Sequence, residues 1–181
     1  MDAVVVYESL WGNTAAIARA IASGLGEGTL VLTTDQATPR RLANADLLVA
    51  GAPVHAMGLP SDSTRASATA KVYGTHPGLR ADVSHPPLRD WLDTLPPAER
   101  LCAAFDTGIR GPLGHGAARA IIARLTAHGY EAIDEPQTYT VALVTGSSEP
   151  AALLLSGQEE AAARWGAHLA MVVRERATTQ A

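Results

Sequence analysis

Short strand-like runs alternate with helical repeats along most of the chain, and this alternation restricts its fold more than any other feature. The run Ala3–Tyr7 is apolar and rich in β-branched residues, as expected for a strand buried on both faces. After it, Ile17, Ile21 and Leu25 recur at every fourth position, which places them on one face of a helix. The same patterns predict strands at Ala3–Tyr7, Leu30–Thr33, Asp46–Ala50, Leu101–Phe105 and Thr138–Val144, and helices at Thr14–Leu25, Pro39–Ala45, Ala117–His128 and Gln158–Arg176.

Strands that alternate with helices predict an α/β protein with a parallel sheet. We expect three layers: a doubly wound sheet of five strands in the order 2-1-3-4-5, right-handed crossovers, and helices on both faces. The final helix should pack through Trp165, Leu169 and Val172. No internal repeat or linker divides the chain, so residues 1–181 are expected to form a single domain.

Residues 59–97 depart from the alternation, because they are longer than one crossover needs and are rich in proline. Helices are predicted there near Ser63–Tyr73 and Leu88–Leu95, the second one packing through Trp91, Leu92 and Leu95. The segment is therefore expected to be an extended excursion from the domain, and long excursions often carry function.

Composition excludes several classes of protein. Hydrophobic residues make up 47% of the chain and the net charge is −4, which favours a folded domain and disfavours a nucleic-acid binder with a basic face. The single cysteine, Cys102, excludes an internal disulfide, and the six histidines lack paired ligand spacing, so no metal site is expected. The chain enters its first strand without a basic region followed by a long apolar stretch. We therefore expect no signal peptide, no membrane span and a cytoplasmic protein.

Hydrogen-bonding groups are concentrated in the turn between the first strand and the first helix, over Ser9–Thr14. In a sheet of this order, ligands bind beyond the carboxyl ends of the strands, between strands 1 and 3. A helix N-terminus there offers free N–H groups and a partial positive charge, which together bind phosphate without a basic residue. Ser9 and Thr14 would add hydroxyl donors, Asn13 an amide, and Gly12 room for close approach. The same residues are also ordinary helix caps and turn formers, so the loop alone leaves both interpretations open. Glu8 borders the turn and is assigned no role, because a carboxylate near a phosphate is unfavourable unless it points away or caps an N–H.

The segment YESLWGNT at 7–14, followed by AAIARAIASGL, resembles the phosphate loop and first helix of flavodoxins, the small FMN-binding electron carriers. The usual loop has a hydroxyl residue, two spacers and then Gly-Asn-Thr. The similarity extends to DLLVAGAPVHAMGLP at 46–60, LRDWLDTLP at 88–96 and AAFDTGI at 103–109, and so covers most of the chain, which is similar to a bacterial, actinobacterial group of flavodoxin-domain proteins. The resemblance implies a flavodoxin-like fold and FMN as the cofactor.

The resemblance also implies where FMN would bind. The phosphate would lie on the first loop and the ring between the loops after strands 3 and 4, with His55 stacking on the ring and backbone groups of 106–108 on its pyrimidine edge. The cofactor-binding residues are then Ser9, Leu10, Trp11, Gly12, Asn13, Thr14, Pro53, Val54, His55, Ala56, Asp106, Thr107 and Gly108. Two departures from flavodoxins are visible: neither ring loop carries a Tyr or Trp, and Arg110 places a cation near the ring.

Three functions remain open. The first is an FMN-binding, flavodoxin-like protein in electron transfer, working with a redox partner protein or a small-molecule acceptor. The second is an FMN-dependent NAD(P)H quinone or nitro reductase. The third is a flavodoxin-fold interaction module that has lost flavin binding. No catalytic residue is assigned, no nucleic-acid or membrane partner is expected, and the oligomeric state is left open.

Overall fold

A parallel sheet forms the middle layer of the protein, which a computed structural model describes over residues 1–75, 81–109, 116–142, 149 and 151–179, with side chains of the first range up to residue 70. Its strands are β1 (Ala3–Tyr7), β2 (Leu30–Thr33), β3 (Leu47–Pro53), β4 (Leu101–Ile109), β5 (Glu131–Ala132) and β6 (Gln137–Val141). The order is β2-β1-β3-β4-β5, and every pairing between these strands is parallel. The predicted α/β fold and strand order are confirmed.

The fifth position of the sheet is shared by two short strands. β3 pairs with β4 from Leu101 to Thr107, so β5 and β6 must lie on the other edge of β4. There, β5 pairs near the start of β4 and β6 pairs with Phe105–Ile109. Pro136 lies between β5 and β6 and has no N–H to donate to a ladder, which helps to explain the interruption.

β3 and β4 run further than the sequence predicts. They were expected to end at Ala50 and Phe105, but they pair with each other through Pro53 and Thr107. Asp106, Thr107 and Gly108 therefore lie in β4, and the prediction that they belong to a loop is wrong. Residues of these types favour turns, but β3 and β6 offer partners on both edges of β4, and this tertiary pairing overrides local preference.

Helices cover both faces of the sheet: α1 (Asn13–Leu25), α2 (Pro39–Leu42), α3 (Asp62–Thr75), α4 (Leu88–Asp93), α5 (Gly116–Ala127) and α6 (Gln158–Thr179). One core joins α1 and α6 to the sheet, and the other joins α4 and α5 to its opposite face. The predicted stripe on α1 is buried throughout. On α6 the third buried residue is Val173 and not Val172 as predicted, because Trp165, Leu169 and Val173 keep a strict fourfold spacing.

The excursion at 59–97 contains the two helices predicted for it, α3 and α4. Trp91, Leu92 and Leu95 are buried as expected, and the indole N–H of Trp91 donates to the Ala37 carbonyl at 3.0 Å. The excursion is thus anchored on the core beside α5. Within the described residues, no helix is both long enough and apolar enough to cross a membrane.

Candidate functional site

A cavity of about 400 Å³ lies at the carboxyl ends of β1, β3 and β4. This volume is within the usual range of small-molecule sites, and the position is the switch point of the strand order. The cavity walls come from the loop after β1, the turn after β3, the ends of β4 and β6, and Leu153. The lining residues are Ser9, Leu10, Trp11, Asn13, Thr14, Pro53, Val54, His55, Ala56, Met57, Thr107, Gly108, Ile109, Val141 and Leu153.

A larger depression, of about 820 Å³, lies at the opposite end of the sheet, near Asp46 and Glu131. Two of its three arginines already have partners: Arg100 donates to the carbonyls of Leu42 and Ala43, and Arg176 pairs with Glu131. Its walls include no residue of the loop after β1. The smaller cavity is therefore the better candidate for a binding site.

The loop before α1 carries backbone N–H groups that have no acceptor within the part of the chain that the structure describes. Gly12 adopts a left-handed conformation (φ 88°) just before the helix, and no side chain caps that helix. Among the described residues, none accepts a hydrogen bond from the backbone N–H of Leu10, Trp11, Asn13, Thr14 or Ala15. All but Ala15 belong to residues that line the cavity. These N–H groups, with the positive end of the α1 dipole, form an anion cradle.

Three successive carbonyls of the same loop, those of residues 10–12, accept hydrogen bonds. The Leu10 carbonyl accepts from the Asp82 N–H at 2.8 Å and the Trp11 carbonyl from the Ala151 N–H at 2.9 Å, while the Gly12 carbonyl accepts the first bond of α1. Since C=O and N–H point opposite ways across a trans peptide, each of these bonds turns the next N–H away from its donor. The bonded carbonyls of Leu10 and Gly12 thus leave the N–H groups that follow them free to face an anion.

Buried hydroxyls complete the cradle. The hydroxyl oxygens of Thr14 and Thr107 are 2.8 Å apart, and they link the loop to the end of β4. A pair of hydroxyls shares one hydrogen bond, so one proton of the pair remains free to donate. The hydroxyl of Ser9 accepts from the Gly12 N–H at 3.1 Å and keeps its own proton. Ser9 and one of the two threonines can therefore each donate a hydrogen bond to a ligand. The sequence predicts that these donors are Ser9 and Thr14.

Three buried polar atoms around the cavity have no hydrogen-bond partner among the described residues: Trp11 Nε1, Asn13 Oδ1 and His55 Nδ1. An unsatisfied buried polar atom costs about 1–3 kcal/mol, and such atoms call for an explanation in native proteins. A polar ligand in the cavity would satisfy them. Burial, and then the positive charge of Arg65, lower the pKa of His55, which keeps its imidazole neutral near pH 7.

The turn after β3 has an unusual backbone. The His55 N–H donates to the Gly58 carbonyl and the Gly58 N–H to the His55 carbonyl, and both residues between them have positive φ: 47° for Ala56 and 66° for Met57. Such turns normally carry Asn or Gly, so Ala and Met are strained here. The Met57 carbonyl also lies against the backbone of Gly116, where an added Cβ would come within 1.7 Å of its oxygen.

Most predicted site residues meet at this cavity. Ser9, Leu10, Trp11, Asn13, Thr14, Pro53, Val54, His55, Ala56, Thr107 and Gly108 line it, and Gly12 supplies the turn of the cradle. Asp106 does not line it: its carboxylate is fully buried and accepts from the Ala118 N–H of α5 at 2.9 Å. Sequence reasoning missed Ile109, Val141 and Leu153, since nothing in a local apolar pattern separates a cavity wall from a core. Arg110 lies outside the described residues.

Solved structures match this fold over nearly the whole chain. A flavodoxin from the domain Archaea has a TM-score of 0.61 at 18% identity, covering 96% of this chain and 99% of its own. Oxidised flavodoxin 1 from Bacillus cereus has a TM-score of 0.62 at 16% identity, with coverages of 94% and 98%. A WrbA-like flavodoxin from Agrobacterium tumefaciens has a TM-score of 0.59 at 19% identity, with coverages of 96% and 98%. The chain has the flavodoxin fold.

No protein-family model matches the sequence, and no curated protein matches it significantly. At identities below 20%, the likeness to solved flavodoxins describes architecture. A ligand for the cavity at the β1/β3 switch point therefore has to be argued from the geometry of the cavity, and not from these similarities.

Proposed function

We propose that the protein binds FMN in this cavity and takes part in electron transfer. The observation that carries the proposal is the set of unused N–H donors at Leu10, Trp11, Asn13, Thr14 and Ala15, next to a cavity at the sheet's switch point. Flavodoxin itself is the known case in which FMN occupies this position of the sheet. When bound, FMN supplies the transfer of one or two electrons, and the protein's part is to hold and tune it.

The phosphate end would be held by uncharged groups. The described lining residues include no Lys or Arg, so a phosphate dianion would be bound by backbone N–H groups, the helix dipole and the hydroxyls of Ser9 and Thr14. Hydrogen bonds to a charged group are each worth about 1.5–3 kcal/mol. Contacts between the cradle and the phosphate would therefore contribute a large share of the expected affinity for FMN.

The ring end would meet mainly apolar walls, with Pro53, Val54, Ile109, Val141 and Leu153 among them. The rings of Trp11 and His55 also border the cavity, with centroids 6.3 Å apart and planes tilted by 34°. Trp11 is thus the aromatic residue available to the ring, although it comes from the first loop and not from the two ring loops. The neutral imidazole of His55 adds no positive charge beside the ring.

A reductase is the second candidate, favoured by the rim of the cavity. Met57 is 61% exposed and Ile109 is 39% exposed, and both line the opening. An open apolar rim of this kind would let a planar acceptor approach a bound ring. Oxidation of NAD(P)H by the FMN-loaded protein alone, with a quinone or nitro compound as acceptor, would favour the reductase. Oxidation that requires an added redox protein would favour the electron carrier.

Titration of the purified protein with FMN tests the proposal. We expect saturable binding of FMN, detected as quenching of flavin fluorescence, and weaker binding of riboflavin, which lacks the phosphate. A protein that takes up neither flavin would overturn the proposal and favour the interaction module.

A further inference from the structure

The carboxylate of Glu8 is fully buried at the end of β1, next to the cradle but outside the cavity lining. Its Oε2 accepts from the Leu88 N–H at 2.8 Å, and its Oε1 is 3.4 Å from Nε of Arg65. Burial raises the pKa of Glu8, while the Leu88 N–H and Arg65 oppose that rise. A charge buried to this extent has to be paired, and Arg65 is the counterion that lies beside Glu8.

Arg65 also reaches a second segment of the chain. Its side chain is buried and donates from Nη2 to the His85 carbonyl at 2.9 Å. Glu8 and Arg65 thus hold residues 82–88 at two backbone positions, Leu88 N–H and His85 C=O. The Thr34 hydroxyl holds a third, the Pro86 carbonyl, at 2.6 Å. We call residues 82–88 the anchor segment.

The anchor segment contacts the cradle through a single backbone bond. The Asp82 N–H donates to the Leu10 carbonyl at 2.8 Å. The Asp82 carboxylate in turn accepts from the N–H and hydroxyl of Ser84, at 3.0 and 2.6 Å, which fixes the start of the segment. The Leu10 carbonyl is therefore held by a segment whose own position depends on Glu8 and Arg65.

We propose that Glu8 and Arg65 are positioning residues for the anion cradle: they fix the anchor segment, which holds the Leu10 carbonyl outward and so presets the following N–H donors for a phosphate monoester. This inference rests on the proposed function. Neither side chain lines the cavity, so both act through the Asp82–Leu10 bond. A preset loop binds more tightly because less conformational freedom is lost on binding.

Loosening of the cradle should change the preference of the protein between FMN and riboflavin. The cradle would meet only the phosphate end, so loosening it should weaken FMN binding and leave riboflavin binding nearly unchanged. The quantity to measure is the ratio of the riboflavin Kd to the FMN Kd, by fluorescence titration at a temperature where circular dichroism shows each variant folded. A general loss of stability would not change this ratio.

Arg65→Met removes the charge and both contacts, and Arg65→Lys keeps the charge but loses the planar donor fork. Arg100→Met is the matched control, since Arg100 also donates to two backbone carbonyls but at the far end of the sheet. We expect the ratio to fall about tenfold in Arg65→Met, less in Arg65→Lys, and not at all in Arg100→Met. Where Arg65→Met does not fold, the double variant Glu8→Gln/Arg65→Met is measured, because it buries no charge.

An unchanged ratio in the folded Arg65 variants, with a wild-type protein that prefers FMN, overturns the positioning role alone. A wild-type protein that binds neither flavin overturns the proposed function itself. A ratio that falls equally in Arg100→Met also counts against the inference, since the effect would then not depend on the anchor segment.

Discussion

The hydroxyl oxygens of Thr14, at the start of α1, and Thr107, near the end of β4, lie 2.8 Å apart and are almost completely buried. This bond joins the two sides of the proposed FMN site. When the Thr14 oxygen accepts this bond from Thr107, the Thr14 hydroxyl keeps its own proton and can donate it to phosphate.

Thr14→Val should therefore weaken FMN binding by about 1–3 kcal/mol, because a hydrogen bond to a charged phosphate is lost while the side-chain volume is kept. Riboflavin binding should change little. The measurement is the Kd of each flavin by fluorescence titration. Thr29→Val is the matched control, since the Thr29 hydroxyl donates to the Gly26 carbonyl outside the cavity lining. An FMN affinity unaltered by Thr14→Val would remove that hydroxyl from the cradle.

Local pattern was sufficient for much of the fold and for the cradle. Ile17, Ile21 and Leu25 encode the buried face of α1 by their spacing alone, and the position of Ser9–Thr14 between a strand and a helix fixes its place at the sheet's switch point. Both inferences depend only on neighbours in sequence and on general topology.

Local sequence patterns do not predict contacts between residues that are distant in the chain. Glu8 is bonded to the backbone of Leu88, 80 residues away, so its buried role leaves no local pattern. Asp106 was placed in a loop because its residue type favours turns, yet β3 and β6 pair with it on both edges. Both cases are decided by partners distant in sequence, on α4 for Glu8 and on β3 and β6 for Asp106. Single-sequence preference does not contain such partners.

The strained turn after β3 offers a stability test. Met57→Gly should raise the free energy of unfolding of the FMN-free protein by roughly 0.5–1 kcal/mol, since relief of the left-handed strain exceeds the added chain entropy of glycine. Met171, similarly exposed but helical, is the control. Met171→Gly should lower the same quantity by about 1 kcal/mol. Urea denaturation of both variants measures these two changes. A lower free energy of unfolding for Met57→Gly than for the wild-type protein would contradict the strain.

The contact between α1 and α6 depends on glycine. A Cβ added at Gly166 would come within 2.1 Å of the Ile21 carbonyl oxygen and 3.1 Å of the Leu25 nitrogen, both backbone atoms that cannot rotate away. Gly166→Ala should therefore lower the free energy of unfolding by about 2–3 kcal/mol. Intrinsic helix preference alone predicts the opposite sign, a gain of about 1 kcal/mol. Thermal or urea unfolding distinguishes the two, and a stabilised variant would show that the helices do not touch as described.

Stability should also fall with acid, because of His85. This side chain is buried, and its two ring nitrogens have no hydrogen-bond partner in the described ranges of the chain. Burial lowers its pKa despite the nearby Asp82 carboxylate. The unfolded chain then binds a proton more readily than the folded one, so stability is lost as the pH drops below the unfolded value of about 6.5. His55 contributes to this pH dependence of stability with the same sign, and Glu8, whose pKa is raised, contributes with the opposite sign.

Urea unfolding of the FMN-free protein from about pH 7.5 to about pH 5.5 should show this loss of stability, and His85→Phe should make the loss smaller. The same pH slope in His85→Phe and wild type would mean that His85 does not titrate differently in the folded and unfolded states.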